Sequence, residues 1–299
     1  MRITVLRLHS RALACMCILA TALLSPFTSM QPVALAVDKV KAEDVIAKHL
    51  ESIGPVEERS SEHSRVVLGD CRMSFTVRSN TGTIDGRVIL GSLNRKILFA
   101  TSMAASDYPG DKFGYDGKKL TVGYLTPGRR SPLEAFIVIH DAIFKEGLIG
   151  GTLSSAWPLL NMAERKAKLE YAGTEKIGTR LAHKLRYSPD KGSDVEVTLY
   201  FDTENFRHLR TQYEHVVGAR LSGGGIDNQT SQRATRFKMI EDFSDYKQEG
   251  KLTLPHSYKL ELLIEASTTG SSTHKWEMNL TDFKFNQEID ESGFKVEGS

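Results

Sequence analysis

Val195-Glu196-Val197-Thr198-Leu199-Tyr200-Phe201-Asp202-Thr203-Glu204-Asn205-Phe206-Arg207 is the stretch that decides the fold. Val195, Val197, Leu199 and Phe201 fall on one side, and Glu196, Thr198 and Tyr200 on the other. A period of two marks a strand with one buried face. The polar run Asp202 to Asn205 then turns the chain into a second strand. The same alternation recurs at Tyr258, Leu260, Leu262 and Ile264, set against Lys259, Glu261, Leu263 and Glu265. It recurs again at 66–77, where Val67, Cys71, Met73, Phe75 and Val77 share one face.

Working outward, strands are predicted at 66–77, 83–91, 95–103, 112–116 and 118–125. A second series follows at 167–173, 181–188, 194–202, 206–217, 233–247, 256–267 and 273–286. Asp116-Gly117 is a tight-turn signal, because glycine accepts positive φ. Short links between successive strands imply an antiparallel sheet, since parallel pairs need crossover helices. The Gly-, Ser- and Gln-rich segment 222–232, with Gly223-Gly224-Gly225, reads as an exposed hairpin tip. It lacks the lysine and following helix of a phosphate loop.

Two helical regions interrupt this pattern. Ala42 to Ile53 carries Val45, Ile46, Leu50 and Ile53 on one face, with Glu43 and Asp44 in the first turn and Gly54-Pro55 as its stop. The segment 131–165 starts with Ser131-Pro132-Leu133-Glu134, a capping box with proline at the first helical position. Its body, Phe136 to Leu148, is apolar nearly all round, which predicts a helix buried on most sides. Gly147, Gly150 and Gly151 loosen the chain behind it, and 152–165 reads as short helix plus turn. Two packings remain open for this arrangement. Phe136, Ile139, Ile143, Phe144, Leu148 and Trp157 either line a hollow between sheet and helices or complete an ordinary core.

The first 36 residues read as a secretory signal. Arg2, Arg7 and Arg11 precede a charge-free apolar run, Ala12 to Leu24, and Ala34-Leu35-Ala36 offers a small-residue cleavage site. The alternative is an uncleaved anchor, for which the run is short. The chain of 299 residues has 39 basic and 37 acidic side chains. Removal of 1–36 leaves 36 basic and 37 acidic, a net charge of −1. Such a balance argues against a nucleic-acid binder, whose surface is basic. Export leaves Cys71 as the single cysteine, so the domain 37–299 carries no internal disulfide and relies on its core. Cys71 itself sits in an apolar strand row, as a small hydrophobe does.

Motifs for chemistry are sparse. No Gly-x-Ser-x-Gly elbow, paired-histidine helix, Cys-x-x-Cys or EF-hand loop occurs, so neither a catalytic centre, a cofactor nor a locally encoded metal site is predicted. Ligands on separate strands can still meet in the fold. His140-Asp141 stands out on an apolar helix, but adjacent helical residues point about 100° apart, which favours a polar seam over a dyad.

Three stretches together resemble a known superfamily. They are Phe201 to Arg207, the Leu252-Thr253-Leu254-Pro255-His256 strand start after Gly250, and the tail Phe285-Asn286-Gln287-Glu288-Ile289-Asp290 leading to Phe294. Tyr171-Ala172-Gly173-Thr174-Glu175 resembles the strand that opens the second half of the same fold. In this order they look like the LolA-like family of periplasmic lipoprotein-sorting proteins. The resemblance implies a mainly β, α+β fold: an incomplete antiparallel β-barrel, or half-barrel, wrapped around lid helices. It also implies a non-enzymatic periplasmic carrier or chaperone for an acyl-chain lipid or lipoprotein, served by a membrane-bound donor or acceptor protein. Some relatives instead act as envelope sensors or regulatory interaction modules. The chain departs from the carrier pattern in its length and its larger helical insert, and no residue here matches the functional arginine of that pattern. Gly147, Gly150 and Gly151 are the expected hinge of the lid.

Overall fold

The described residues form twelve strands in one sheet, and their pairing is antiparallel throughout. The computed structural model describes residues 40–217, 235–266 and 270–296. The predicted signal segment 1–36 and the predicted hairpin tip at Gly223-Gly224-Gly225 lie outside the described residues. From Val40 onward the chain forms one unit.

Helices α1 (Ala42–Ile53) and α2 (Val56–Ser61) come first. Five strands follow: β1 (Ser64–Val77), β2 (Asn80–Leu93), β3 (Lys96–Met103), β4 (Lys112–Tyr115) and β5 (Leu120–Val122). The insert contains α3 (Pro132–Ile139), α4 (Ala142–Lys145), two 3₁₀ turns (Gly151–Leu153 and Pro158–Asn161) and α5 (Met162–Arg165). The second series is β6 (Lys168–Ile177), β7 (Arg180–Ser188), β8 (Glu196–Asp202), β9 (His208–Val217), β10 (Thr235–Glu249), β11 (Leu252–Ala266) and β12 (Gly270–Phe285). A last 3₁₀ turn, Glu291–Phe294, buries Phe294.

The strand order is β5-β4-β3-β2-β1-β12-β11-β10-β9-β8-β7-β6. The first and second series are thus two meanders fused through the β1–β12 ladder. The helical insert joins β5 to β6, which are the two free edges of the sheet. Cross-strand registers line up one inner row: Leu185, Leu199, Thr211, Glu241, Leu260, Trp276, Met73 and Ile84. Burying such a row gives about 25 cal/mol for each Å² of apolar surface removed from water.

The sheet is bent around the insert. Phe144 of α4 packs 5.6 Å from Phe113 of β4. Two residues later, Glu146 accepts a hydrogen bond from Tyr187 of β7 at 2.9 Å. β4 and β7 are nine strands apart, about 43 Å along a flat sheet. Neighbouring side chains of one turn reach both, so the strands curve round the insert into an open half-barrel, the fold the resemblance implies. A bulge between Leu68 and Gly69 adds to the bend where the two meanders meet. A Cβ on Gly69 would come within 2.2 Å of the Asn279 carbonyl oxygen, so only glycine fits there.

Several expectations are corrected. α2 was not anticipated, because none of its residues is buried and its sequence has no apolar face. The predicted strand 118–125 contracts to Leu120–Val122, and the chain beyond it folds back through the Thr126–Arg129 bridge. The expected single helix from Phe136 to Leu148 breaks at His140, whose φ of −110° and ψ of 49° end α3. The insert is also not buried all round. Leu133, Glu134, Phe136 and Ile137 face inward, while Val138 is 40% and Ile139 66% exposed. Ile139 therefore lines no interior.

Candidate ligand-binding site under the helical insert

Five of the six residues expected against a hollow do meet inside the half-barrel. Phe136, Ile143, Phe144, Leu148 and Trp157 are buried together with strand residues Phe99, Phe113, Leu199 and Phe243 in one apolar cluster. The hollow itself is filled. Between the insert and strands β2 and β3, beside Leu90, Ile97, Phe99, Ile149 and Leu153, a slot of ≈ 10 Å³ remains. That is about the space of one water.

The glycines make this fit possible. Gly147, Gly150 and Gly151 have φ of 79°, 76° and 48°. A Cβ on Gly151 would stand 2.7 Å from His208 Nδ1 and 2.9 Å from Phe243 Cζ. One on Gly147 would stand 2.3 Å from the Ala156 carbonyl oxygen. Gly150 has free space around it, and its N–H points at the sheet.

Besides the Glu146–Tyr187 contact, polar tethers hold the insert at its start, its middle and farther along. At its start, Ser131 caps α3 and donates to buried Asp111, which also accepts from Tyr108. Burial pushes Asp111 up to about 6 and Glu134, the other half of the capping box, up to about 7. In the middle, Gly150 N–H donates to Glu241 Oε1 at 2.7 Å, and Tyr258 and Tyr213 donate to its two oxygens at 2.6 Å each. Glu241 is 0% exposed, and burial lifts its carboxyl from 4.5 to about 7 against the pull of those donors. Farther along, Ser155 bonds through its N–H and its hydroxyl to Ser92 Oγ of β2, both at 2.9 Å.

A buried aromatic stack lies behind Gly151. His208 stacks on Phe243 at 4.4 Å and on Trp157 at 5.1 Å, and His49 of α1 packs on Phe201 at 4.5 Å. Burial drives His49 down to about 4 and His208 well below its usual range, so both rings are neutral. His49 Nδ1 donates to the Phe206 carbonyl at 2.9 Å. His49 Nε2, His208 Nδ1 and Trp157 Nε1 have no hydrogen-bond partner among the described residues. Each such group costs the closed state about 1–3 kcal/mol of desolvation.

At one lip, a cleft of ≈ 540 Å³ opens between α2, the β2–β3 turn and the insert. Arg59, Arg95 and Arg165 line it with Glu62 and Glu164, beside Trp157 and Leu160. Burial and the charge of Arg95 hold Arg165 below its ordinary value, and its Nη1 has no partner among the described residues. His140, singled out in the sequence, pairs not with Asp141 but with Asp194, at 3.4 Å. Asp141 pairs with Lys145. Cys71 is buried, and burial pushes its thiol up to about 12, which keeps it out of nucleophilic chemistry.

The sequence reading missed Glu241, its two tyrosines and the arginine- and glutamate-lined cleft. One signal was legible: Glu241 occupies the inward phase of β10, between Met239 and Phe243.

Fold and site together define an open antiparallel half-barrel with an apolar inner face, filled by a tethered helical insert and flanked by an arginine- and glutamate-lined cleft. No protein-family model and no curated protein matches the sequence. Among solved structures, the chain is similar to a LolA superfamily protein from Nitrosomonas europaea, at 13% identity and a TM-score of 0.45, over 86% of this chain and 99% of that one. It is similar to an outer-membrane lipoprotein-sorting protein domain from Vibrio parahaemolyticus, at 15% identity and 0.38, over 83% and 97%. A DUF1329 family protein from Desulfovibrio piger follows at 10% identity and 0.37, over 85% and 96%.

Proposed function

We propose that the protein is a non-enzymatic binding or carrier protein of the cell envelope, exported to the periplasm by its first 36 residues. Its ligand is hydrophobic, an acyl-chain lipid or a lipidated protein. The observation that carries this reading is the insert. It fills the half-barrel with short helical pieces, none longer than eight residues, joined at positive-φ glycines and tied to the sheet by a few polar contacts. A filler built in pieces is displaced more easily than a continuous core helix.

The energies are of the right size. Burying a CH₂ is worth about 0.8 kcal/mol, so an acyl chain of about 14 carbons gains on the order of 10 kcal/mol before costs. The chain would replace the insert against the same apolar face, and its head group would dock in the Arg59, Arg95 and Arg165 cleft. Gly147, Gly150 and Gly151 are the hinge of that movement. A membrane-bound donor or acceptor would load and unload the ligand.

The test is a reversible lock. Ser92 and Ser155 touch through their hydroxyl oxygens at 2.9 Å, close enough for a bridge in the double variant Ser92→Cys, Ser155→Cys. A fluorescent fatty acid should bind the reduced variant and be shut out of the oxidised one, with binding restored by reductant. Equal binding in both states refutes the displaced insert. Absence of binding in the wild type, with no lipid in organic extracts of periplasmic protein, refutes the carrier.

A second reading, an interaction module, is favoured by Val138 and Ile139. These two large apolar side chains stand outward at the end of α3. Capture of one membrane protein by wild type but not by Ile139→Asp, from a protein free of lipid, supports it.

A further inference from the structure

Three donor-bearing side chains from three separate elements meet at the end of α3. His140 closes that helix, with its side chain 2% exposed. His215 stands on β9 with its side chain 15% exposed, in the same inward phase as Tyr213. Asp194 lies in the β7–β8 link and is 60% exposed. The Nδ1 atom of His140 is 3.4 Å from Asp194 Oδ1, and that of His215 is 3.6 Å from Asp194 Oδ2. The two imidazole rings are 4.5 Å apart between centroids, and one donor atom from each of the three residues lies within 4.8 Å of the others.

We propose that His140, Asp194 and His215 form a binding site for a divalent transition-metal ion, zinc in the first instance. Zinc takes imidazole nitrogen and carboxylate oxygen at about 2.0–2.2 Å, so the edges of its tetrahedron are about 3.3 Å. The two histidine–carboxylate separations already match that edge within a few tenths of an ångström. Two imidazoles with one carboxylate suit zinc and its neighbours in the first row, and are a poor set for calcium or magnesium, which prefer all-oxygen shells. The exposed side of Asp194 leaves the fourth position to solvent. Phe136, 4.6 Å from the His140 ring, and Phe237, 6.5 Å from the His215 ring, form an apolar backing that limits ring movement. Two existing contacts are given up on binding, that of His140 Nδ1 with Asp194 Oδ1 at 3.4 Å and that of His215 Nδ1 with the Asp194 carbonyl oxygen at 2.9 Å. Asp141 takes no part, since it is held by Lys145. A bound ion would staple the end of α3 to β9 and to the β7–β8 link, adding a further anchor for the insert. This site does not depend on what the half-barrel carries.

The test uses tag-free, chelator-stripped protein titrated with zinc alone by calorimetry, and with cobalt(II) followed by visible absorption. One equivalent should bind at micromolar or lower concentration, with cobalt bands of a tetrahedral nitrogen–oxygen shell and a raised melting temperature. Asp194→Asn and His215→Gln change partly exposed side chains and should each weaken zinc at least tenfold while circular dichroism stays unchanged. Wild type without tetrahedral cobalt bands overturns the proposal, and that measurement does not depend on any variant folding. Equal zinc affinity in wild type and both variants also overturns it.

Discussion

Replacing Glu241 with glutamine isolates the charge on the central tether. In the folded protein the carboxyl is 0% exposed, accepts from Gly150 N–H, Tyr213 and Tyr258, and titrates at about 7 because burial penalises its charged form. Unfolded, it titrates at the ordinary glutamate value of 4.5. Between those values the native state holds a proton that the unfolded state has lost. Stability therefore falls as pH rises through this window, and the loss levels off above the folded value. Between pH 6 and pH 9, about one pH unit of the window remains, so the wild type loses about 1.4 kcal/mol from this group, or tenfold in the folding equilibrium. Glutamine does not titrate. Its carbonyl can accept from Gly150 and one tyrosine, and its amide can donate to the other hydroxyl, as the protonated acid does. Urea unfolding at pH 6, 7, 8 and 9 should show the difference between variant and wild type moving in the variant's favour by about 1.4 kcal/mol, whatever its offset at pH 6. Asp111 and Glu134 also titrate upward of their usual values, but they are common to both proteins and cancel. Parallel stability curves would show that Glu241 carries no raised pKa and that the tether is not a buried acid in the sense argued.

Gly151→Ala should destabilise the closed form by about 2–4 kcal/mol, from a strained left-handed backbone and the collision with His208 and Phe243; thermal melting checks this. Trp157→Ala removes a fully buried ring stacked on His208 and should cost about 3–5 kcal/mol in urea unfolding. Arg95→Glu should weaken binding of a phosphate-headed lipid probe tenfold or more, while stability stays within about 0.5 kcal/mol, because Arg95 borders the cleft rather than the core. Ile139→Asp should leave stability within the same margin of about 0.5 kcal/mol, since that side chain already faces water.

The sheet was legible because half-buried strands must alternate. Val195 to Phe201 shows the rule, and the observed strands β7 to β10 start and end within two residues of the predicted ones. Ser131 with Glu134 forms the capping box its spacing implies. Helix phase inside the insert was not legible. When Phe136, Ile137, Val138 and Ile139 are all apolar, composition cannot tell which two face water. The break at His140 comes from tertiary contacts with Asp194 and His215, which are 54 and 75 positions away in sequence. The same separation hides the site. Gly150, Tyr213, Glu241 and Tyr258 come from the insert and three strands, and only the register of β9, β10 and β11 brings them together. An acid in the inward phase of β10 was a visible anomaly, but its meaning required knowing what lay opposite.

The insert's position in the topology explains why it is both well packed and poorly satisfied. It joins the two free edges of an open sheet, so it must cross the mouth of the half-barrel whatever its sequence. Crossing there allows it to shield the inner row of Leu185, Leu199, Leu260 and Trp276 from water, and that burial holds it in place. A segment built solely as core would put apolar side chains opposite apolar ones. This one instead meets Asp111, Glu241 and His208, and the folded form keeps both acids above their normal pKa and the imidazole below its own. Those groups subtract from the stability of the closed form without loosening its fit. Raising pH charges Asp111 and Glu241, and lowering it charges His208, so the folded form is favoured between the two limits and weakened on either side. Apolar contact thus sets where the insert sits, and the buried titratable groups set how firmly it stays.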